Sequence, residues 1–153
     1  YVIMHRIGSD ICADYLDSLD FAKEKVRRCI KVLGPRVGMW DSAKVGISAP
    51  PVKTPHGWLL LYHAISEDHH TYRVGAALLD LDDPTIVLHR STDPIFEPET
   101  PYEKDGLVKN VVFPCGMVLR GDTLFVYYGG ADSVVGVATM KMSILLDALT
   151  KSA

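Results

Sequence analysis

The sequence has no apolar run approaching the ~20 residues that cross a bilayer as a helix, so no membrane partner is expected. It has no basic excess: a net charge of -3 leaves no electrostatic footprint for nucleic acid or an anionic surface. Cysteine is scarce. Cys12, Cys29 and Cys115 are odd in number and share no CxxC spacing. That pattern argues against a disulfide framework or a zinc site and for a reducing compartment, so a cytoplasmic location is expected. No signal-peptide pattern is visible. The sequence does not start with Met either. It opens on "YVIMHR", which reads like the middle of a strand, and the natural N-terminus is expected elsewhere.

What is there is a globular chain. Of 153 residues, 48% are apolar and 23% charged, enough for one domain with a real core and too apolar for disorder. Strand signals dominate. "YVIMHR" (1–6), "ICADYLDS" (11–18), "GWLLLYHAI" (57–65), "YRVGAALLDL" (72–81) and "TIVLHRS" (85–91) are separated by Asp, Gly and Pro turns. "NVVFPCGMVLR" (110–120), "DTLFVYYGG" (122–130) and "SVVGVATM" (133–140) follow. "SILLDALTK" (143–151) has helical spacing and predicts a short closing helix. Residues 20–33 fit either a helix by propensity or a loop followed by a strand.

The strands repeat. "GWLLLYHAIS" is echoed by "DTLFVYYGGA" about 65 positions on, and "YRVGAALLDL" by "SVVGVATMKM" about 61 positions on, matching Gly75 to Gly136. "YVIMHR…ICADYLDS" resembles the tail half of a third copy. A period of about 60 residues holding about four strands suits a propeller blade, and a β-sandwich of the same strands is the competing architecture. Two and a half blades cannot close a ring, so residues 1–153 read as a partial β-propeller, the C-terminal half of a larger catalytic domain.

The motifs "WDSAKVGISAPPVKTPHGWLLLYHAI", "GAALLDL", "DPIFEP", "NVVFPCG" and "YYGGAD", in this order, resemble glycoside hydrolase family 130, the β-mannoside phosphorylases and related β-mannosidases. The resemblance is strong over about residues 37–150 and weak over 1–36. It implies an all-β, five-bladed propeller about twice this length. It also implies inverting cleavage of β-mannosides, most often with inorganic phosphate as co-substrate and mannose 1-phosphate as product, and no other cofactor. The partners it implies are a β-mannoside oligosaccharide and phosphate. Water as nucleophile, and a non-catalytic carbohydrate-binding propeller, are the alternatives.

Phosphorolysis needs cationic or N–H donors around phosphate and a carboxylic acid on the opposite side to protonate the leaving oxygen. The motif match carries the phosphate-contacting lysine and histidine onto Lys44 and His63, read as a cation pair that grips the anion, and more loosely an arginine onto Arg6. It carries the aspartate that binds the mannosyl ring onto Asp132. Asp41, three residues before Lys44, and Tyr72 and Arg73, after His63, are further candidates for the substrate pocket. No catalytic residue is expected in this stretch. The family's general acid lies in an Glu-Asp-Pro-Arg-like motif of an earlier blade, and "DDP" at 82–84 is no substitute. Whether this stretch alone turns over substrate is therefore left open.

The remaining polar features read structurally. Cys115 is expected to be a buried structural cysteine, Trp40 and Trp58 blade packing, and "EPETPYEKDG" (97–106) a solvated acidic loop. His69 and His70 beside Asp68 lack convergent metal ligands, and no metal is expected. Ser48 stands where the family has glycine, and Gly130 where alanine is common. An exposed blade edge predicts a homo-oligomer or pairing with the missing blades.

Overall fold

The run "GWLLLYHAI" is apolar at both parities, and a strand buries both parities only when both faces of its sheet are covered. The computed structural model describes residues 1–151 and arranges them so. The elements are β1 (Val2–Ile7), β2 (Asp10–Tyr15), β3 (Ile30–Leu33), β4 (Lys44–Ile47), β5 (Val52–Thr54), β6 (Gly57–Ile65), β7 (Arg73–Leu79) and β8 (Val87–Arg90). A one-turn helix α1 (Pro101–Lys104), then β9 (Val112–Arg120), β10 (Thr123–Gly130), β11 (Val134–Lys141) and the closing helix α2 (Met142–Lys151) complete the chain. The fold is all-β with a short C-terminal helix.

Three antiparallel sheets result: β1-β2-β3, β4-β6-β7-β8 and β9-β10-β11. β4 and β5 lie along the same side of β6, against its second and first halves respectively. Pro50 and Pro51 fall between them, where a residue without an N–H interrupts the ladder. Leu60, Tyr62 and Ala64 of β6 pack with Ile11, Ala13 and Leu33 of the first sheet. Leu59 and Leu61 pack with Val112, Leu124 and Val126 of the third sheet and with Leu145 and Leu149 of α2. The middle sheet is thus sandwiched, while the outer face of the third sheet leaves Val118, Tyr127, Val135 and Val137 exposed.

The repeat is physical. Tyr62 is the partner of Gly75 and Tyr128 the partner of Gly136, and a Cβ on either glycine would collide with the tyrosine ring. Each glycine leaves the space in which its tyrosine lies flat across the neighbouring strand.

Of the two readings of residues 20–33, the loop followed by a strand is the one found. Several other expectations are corrected. Cys12 and Cys29 form a disulfide, with Cα atoms 4.9 Å apart. An odd total does not prevent two cysteines from pairing. β3 adds to β2 with Ala13 opposite Ile30, which brings the preceding Cys29 beside Cys12. The cysteine argument for a reducing compartment falls with it. Cys115 is exposed and free, because a register shift between Tyr127 and Tyr128 marks a bulge in the β9–β10 ladder that skips it. The acidic stretch 97–106 is not simply solvated: it contains α1, and Glu103 is buried. Among the described residues no helix is long and apolar enough to cross a membrane.

Candidate functional site

The strand pairings gather the candidate residues at one end of the sheets. Lys44 opens β4 opposite Ile65, and His63 lies opposite Gly46 near the end of β6. Tyr72 directly precedes β7 and forms a parallel bridge with Val111 at the start of the third sheet. Arg6 is the penultimate residue of β1, near the turn whose Ser9 carbonyl accepts the Val45 N–H at 3.0 Å. Residues opposite one another in an antiparallel pair share a face. Lys44 and His63 therefore lie on the same face of the middle sheet, the one turned toward the third sheet.

Their side chains meet at Tyr72. Lys44 Nζ donates to the Tyr72 hydroxyl at 2.8 Å and lies 5.1 Å from its ring centre. The His63 and Tyr72 rings are 6.0 Å apart, and Phe113 closes the group at 4.2 Å from His63 and 6.1 Å from Tyr72. Ser48 Oγ is 3.4 Å from His63 Nδ1, so the serine that departs from the family glycine touches the site. Gly46 is required here, because any Cβ would run into the imidazole and would stand 3.3 Å from Arg6 Cδ. The Arg6 guanidinium donates to the Gly8 carbonyl.

The electrostatics correct one idea, that Lys44 and His63 act as two cations. His63 is 8% exposed. Burial first, then the charges of Lys44 and Arg6, push its pKa down to about 4. At neutral pH the group holds two fixed cations and a neutral imidazole that can donate one N–H.

The other candidates separate. Asp41 is fully buried. Its carboxylate accepts from Arg36 Nε at 3.0 Å, Arg90 Nη2 at 2.7 Å and the Tyr62 hydroxyl at 3.1 Å. It anchors the segment before Lys44 and has no surface to offer a ligand, which corrects its expected place in the pocket wall. Arg73 pairs with Ala64, hence faces away from His63, and binds Glu97 Oε2 at 2.9 Å. Asp132 is exposed in the β10–β11 turn, where Ala131 and Asp132 have successive φ values of 46° and 52° and Ser133 N–H closes on Gly130 O at 3.0 Å. Two successive positive φ values at the centre of a turn closed from residue 133 to residue 130 fit a type I′ turn, within a loop of three residues between the paired Gly130 and Val134. Sequence reasoning missed Phe113 as a site residue, although "NVVFPCG" contains it.

Comparison with known proteins agrees with the resemblance. The glycoside hydrolase family 130 model, described as beta-1,4-mannooligosaccharide phosphorylase, matches residues 1–151. A 1,2-beta-oligomannan phosphorylase of Thermoanaerobacter sp. (strain X514) is 48% identical over 143 residues, 93% of this chain and 46% of that protein. A beta-1,2-mannobiose phosphorylase of Listeria innocua serovar 6a is 51% identical over 118 residues, 77% of this chain and 33% of that protein. The solved structure of a beta-1,2-mannobiose phosphorylase from Listeria innocua, in complex with beta-1,2-mannobiose, aligns with a TM-score of 0.80 at 40% identity. That alignment covers 98% of this chain and 46% of the other. The chain spans about half the length, or less, of the relatives it matches. With a family model matched almost end to end and close relatives of one named activity class, the chain belongs to glycoside hydrolase family 130.

Proposed function

We propose that this chain is the phosphate-holding half of an inverting β-mannoside phosphorylase. One observation carries the reading: half-buried Lys44 and buried His63 meet at Tyr72, exposed Arg6 of the first sheet lies beside His63, and among the described residues neither Lys44 nor Arg6 has a carboxylate partner. A phosphate dianion answers both charges. It takes charge-assisted hydrogen bonds from Lys44 and Arg6 and an N–H bond from neutral His63. A water nucleophile would need no such cradle.

In this reading phosphate, held by these groups, attacks the anomeric carbon from the face opposite the scissile oxygen. The carbon–oxygen bond to the leaving sugar breaks as the new bond to phosphate forms, so the anomeric configuration inverts. The proton for the leaving oxygen comes from a carboxylic acid in the half of the protein outside this chain. Asp132, on the turn at the same end, contacts the mannosyl ring, and Tyr72 and Phe113 wall the pocket. Phosphate is the co-substrate, and no further cofactor is needed.

The same reading makes the three sheets successive blades of a five-bladed propeller. The exposed face carrying Val118, Tyr127, Val135 and Val137 supports this, since a blade of the remaining half would cover it. A homo-oligomer, or pairing with the remaining half, belongs to this reading too.

The test is the whole natural protein given a β-mannobiose with and without inorganic phosphate. Release of mannose 1-phosphate only when phosphate is present is expected. Release of free mannose at the same rate without phosphate would overturn the reading in favour of a hydrolase. Binding without turnover in either condition would leave a carbohydrate-binding propeller.

A further inference from the structure

A concavity of about 540 Å³ opens beside Trp40, away from the Lys44–His63 group. Its size falls within the roughly 300–1,000 Å³ of ligand clefts. The strand pairing separates the two places: Arg73, which lines this cleft, pairs with Ala64 and so faces away from His63. We propose that the cleft is a second carbohydrate site, taking a neutral oligosaccharide chain at the rim of the protein; the choice of a mannoside as that sugar rests on the function proposed above.

The first support is the indole. Trp40 stacks on Tyr62 with ring centres 5.8 Å apart and 19° between planes, and its Nε1 donates to the Thr92 carbonyl at 2.9 Å. The ring is fixed at two points and still lines the open cleft. A rigid aromatic platform beside polar groups suits the C–H face of a pyranose, which stacks without side-chain ordering.

The second support is the polar lining. Glu67, Asp68, Asp93 and Glu97 surround the cleft with Arg73 as the one guanidinium. Arg73 is already held by Glu97. Ser42 Oγ accepts the Glu67 N–H at 3.0 Å and fixes the loop that carries Glu67 and Asp68. Carboxylates in excess repel inorganic phosphate and sugar phosphates. Among the described residues no group of His, Cys, Asp and Glu converges to hold a metal ion. Beside the indole, these oxygens suit the hydroxyl hydrogens of an uncharged sugar.

The experiment is isothermal titration of the whole natural protein with a β-mannotetraose in phosphate-free buffer, where no phosphorolysis runs. Two classes of site per chain are expected. Glu67→Gln combined with Asp68→Asn weakens one class at least tenfold, and Trp40→Phe weakens the same class. Both acidic residues are exposed, so the double variant is informative even if Trp40→Phe folds poorly. A single class of site, or a second class indifferent to the acidic double variant, overturns the proposal. Phosphorolysis is read separately. Loss of turnover with two-class binding intact sinks the proposed function and leaves the cleft standing, and turnover with one class does the reverse.

Discussion

The Tyr128 hydroxyl donates to Glu103 Oε1 at 2.6 Å inside the third sheet, as the Tyr62 hydroxyl donates to Asp41 Oδ2 at 3.1 Å inside the second. Each tyrosine lies over a glycine of the next strand, and each carboxylate comes from the segment leading into its sheet. The repeat therefore preserves a buried polar lock as well as an apolar pattern.

The locks differ in their second partners, and that sets the cost of breaking them. Glu103 Oε2 accepts the backbone N–H groups of Glu99 at 2.8 Å and Thr100 at 2.9 Å. Burial pushes its pKa up, but the hydrogen bonds from Tyr128 and these amides outweigh it and hold the carboxyl below its usual range. Glu103→Ala orphans three donors and should cost about 2–3 kcal/mol in urea unfolding. Tyr128→Phe, which removes one bond, should cost about 1 kcal/mol. Equal, negligible losses would show that the lock does not hold the sheet.

Asp41 is the more expensive lock, because it neutralises two guanidinium groups whose side chains are only 23% and 13% exposed. Asp41→Ala leaves Arg36 and Arg90 unpaired and should destabilise the protein by about 3–5 kcal/mol. Arg36→Met and Arg90→Met together with Asp41→Leu should recover much of that loss, since a buried ionic group replaced whole is cheaper than one broken in part. A triple variant no more stable than Asp41→Ala would contradict this account.

Lys44 is the residue whose loss should read out as phosphate affinity. Its ammonium has Tyr72 as its hydrogen-bond partner and is otherwise free to meet an anion. Lys44→Ala in the whole protein removes one charge-assisted hydrogen bond, worth about 1.5–3 kcal/mol, so KM for phosphate should rise roughly tenfold or more. Tyr72→Phe should raise it less, because the charge remains. A rise confined to the KM for mannoside would assign Lys44 to the sugar instead.

The Cys12–Cys29 bond closes a 17-residue separation and holds the 16–29 loop over the outer side of β2. The same loop is held by Asp14, whose carboxylate accepts the N–H groups of Arg27 at 2.6 Å and Arg28 at 2.8 Å. A non-reducing peptide map should recover the Cys12 and Cys29 peptides joined, with Cys115 alone open to alkylation. Cys29→Ser should cost about 3 kcal/mol by loop-closure entropy. Finding both cysteines alkylated in the unreduced protein would remove the clasp.

The long strands were legible because six or more residues of clear pattern outweigh local noise; β6 and the β10–β11 hairpin match their expected spans. β4 was not, and β3 was one of two readings left open for residues 20–33, since four residues cannot establish a period. With β3 undecided the disulfide stayed hidden, because its partners meet only through that strand's pairing with β2. Asp41 was misassigned for a similar reason: one of its two guanidinium partners, Arg90, is 49 residues away, and nothing near "WDS" announces it. Lys44 and His63 were legible as motif residues, but the charge state of His63 was not. It depends on Arg6 from a different sheet and on the ring of Phe113 packed against it.

That charge state gives the pH dependence its sign. The His63 pKa falls from 6.5 to about 4 on folding, through burial and then through Lys44 and Arg6. Because the folded value is the lower, the unfolded chain binds the extra proton first. His63 therefore costs no stability above pH 6.5 and removes it as the pH falls toward 4, by about 1.4 kcal/mol per unit. Urea midpoints measured between pH 7 and 4 should decline more steeply in the natural protein than in His63→Gln. Phosphate should oppose the trend at the site, since a bound anion beside Lys44 and Arg6 offsets the charges that oppose protonation. The His63 imidazole, followed by NMR in labelled protein, should titrate near 4 without phosphate and distinctly higher with it. An unchanged titration at saturating phosphate would mean that the anion does not sit among these three side chains.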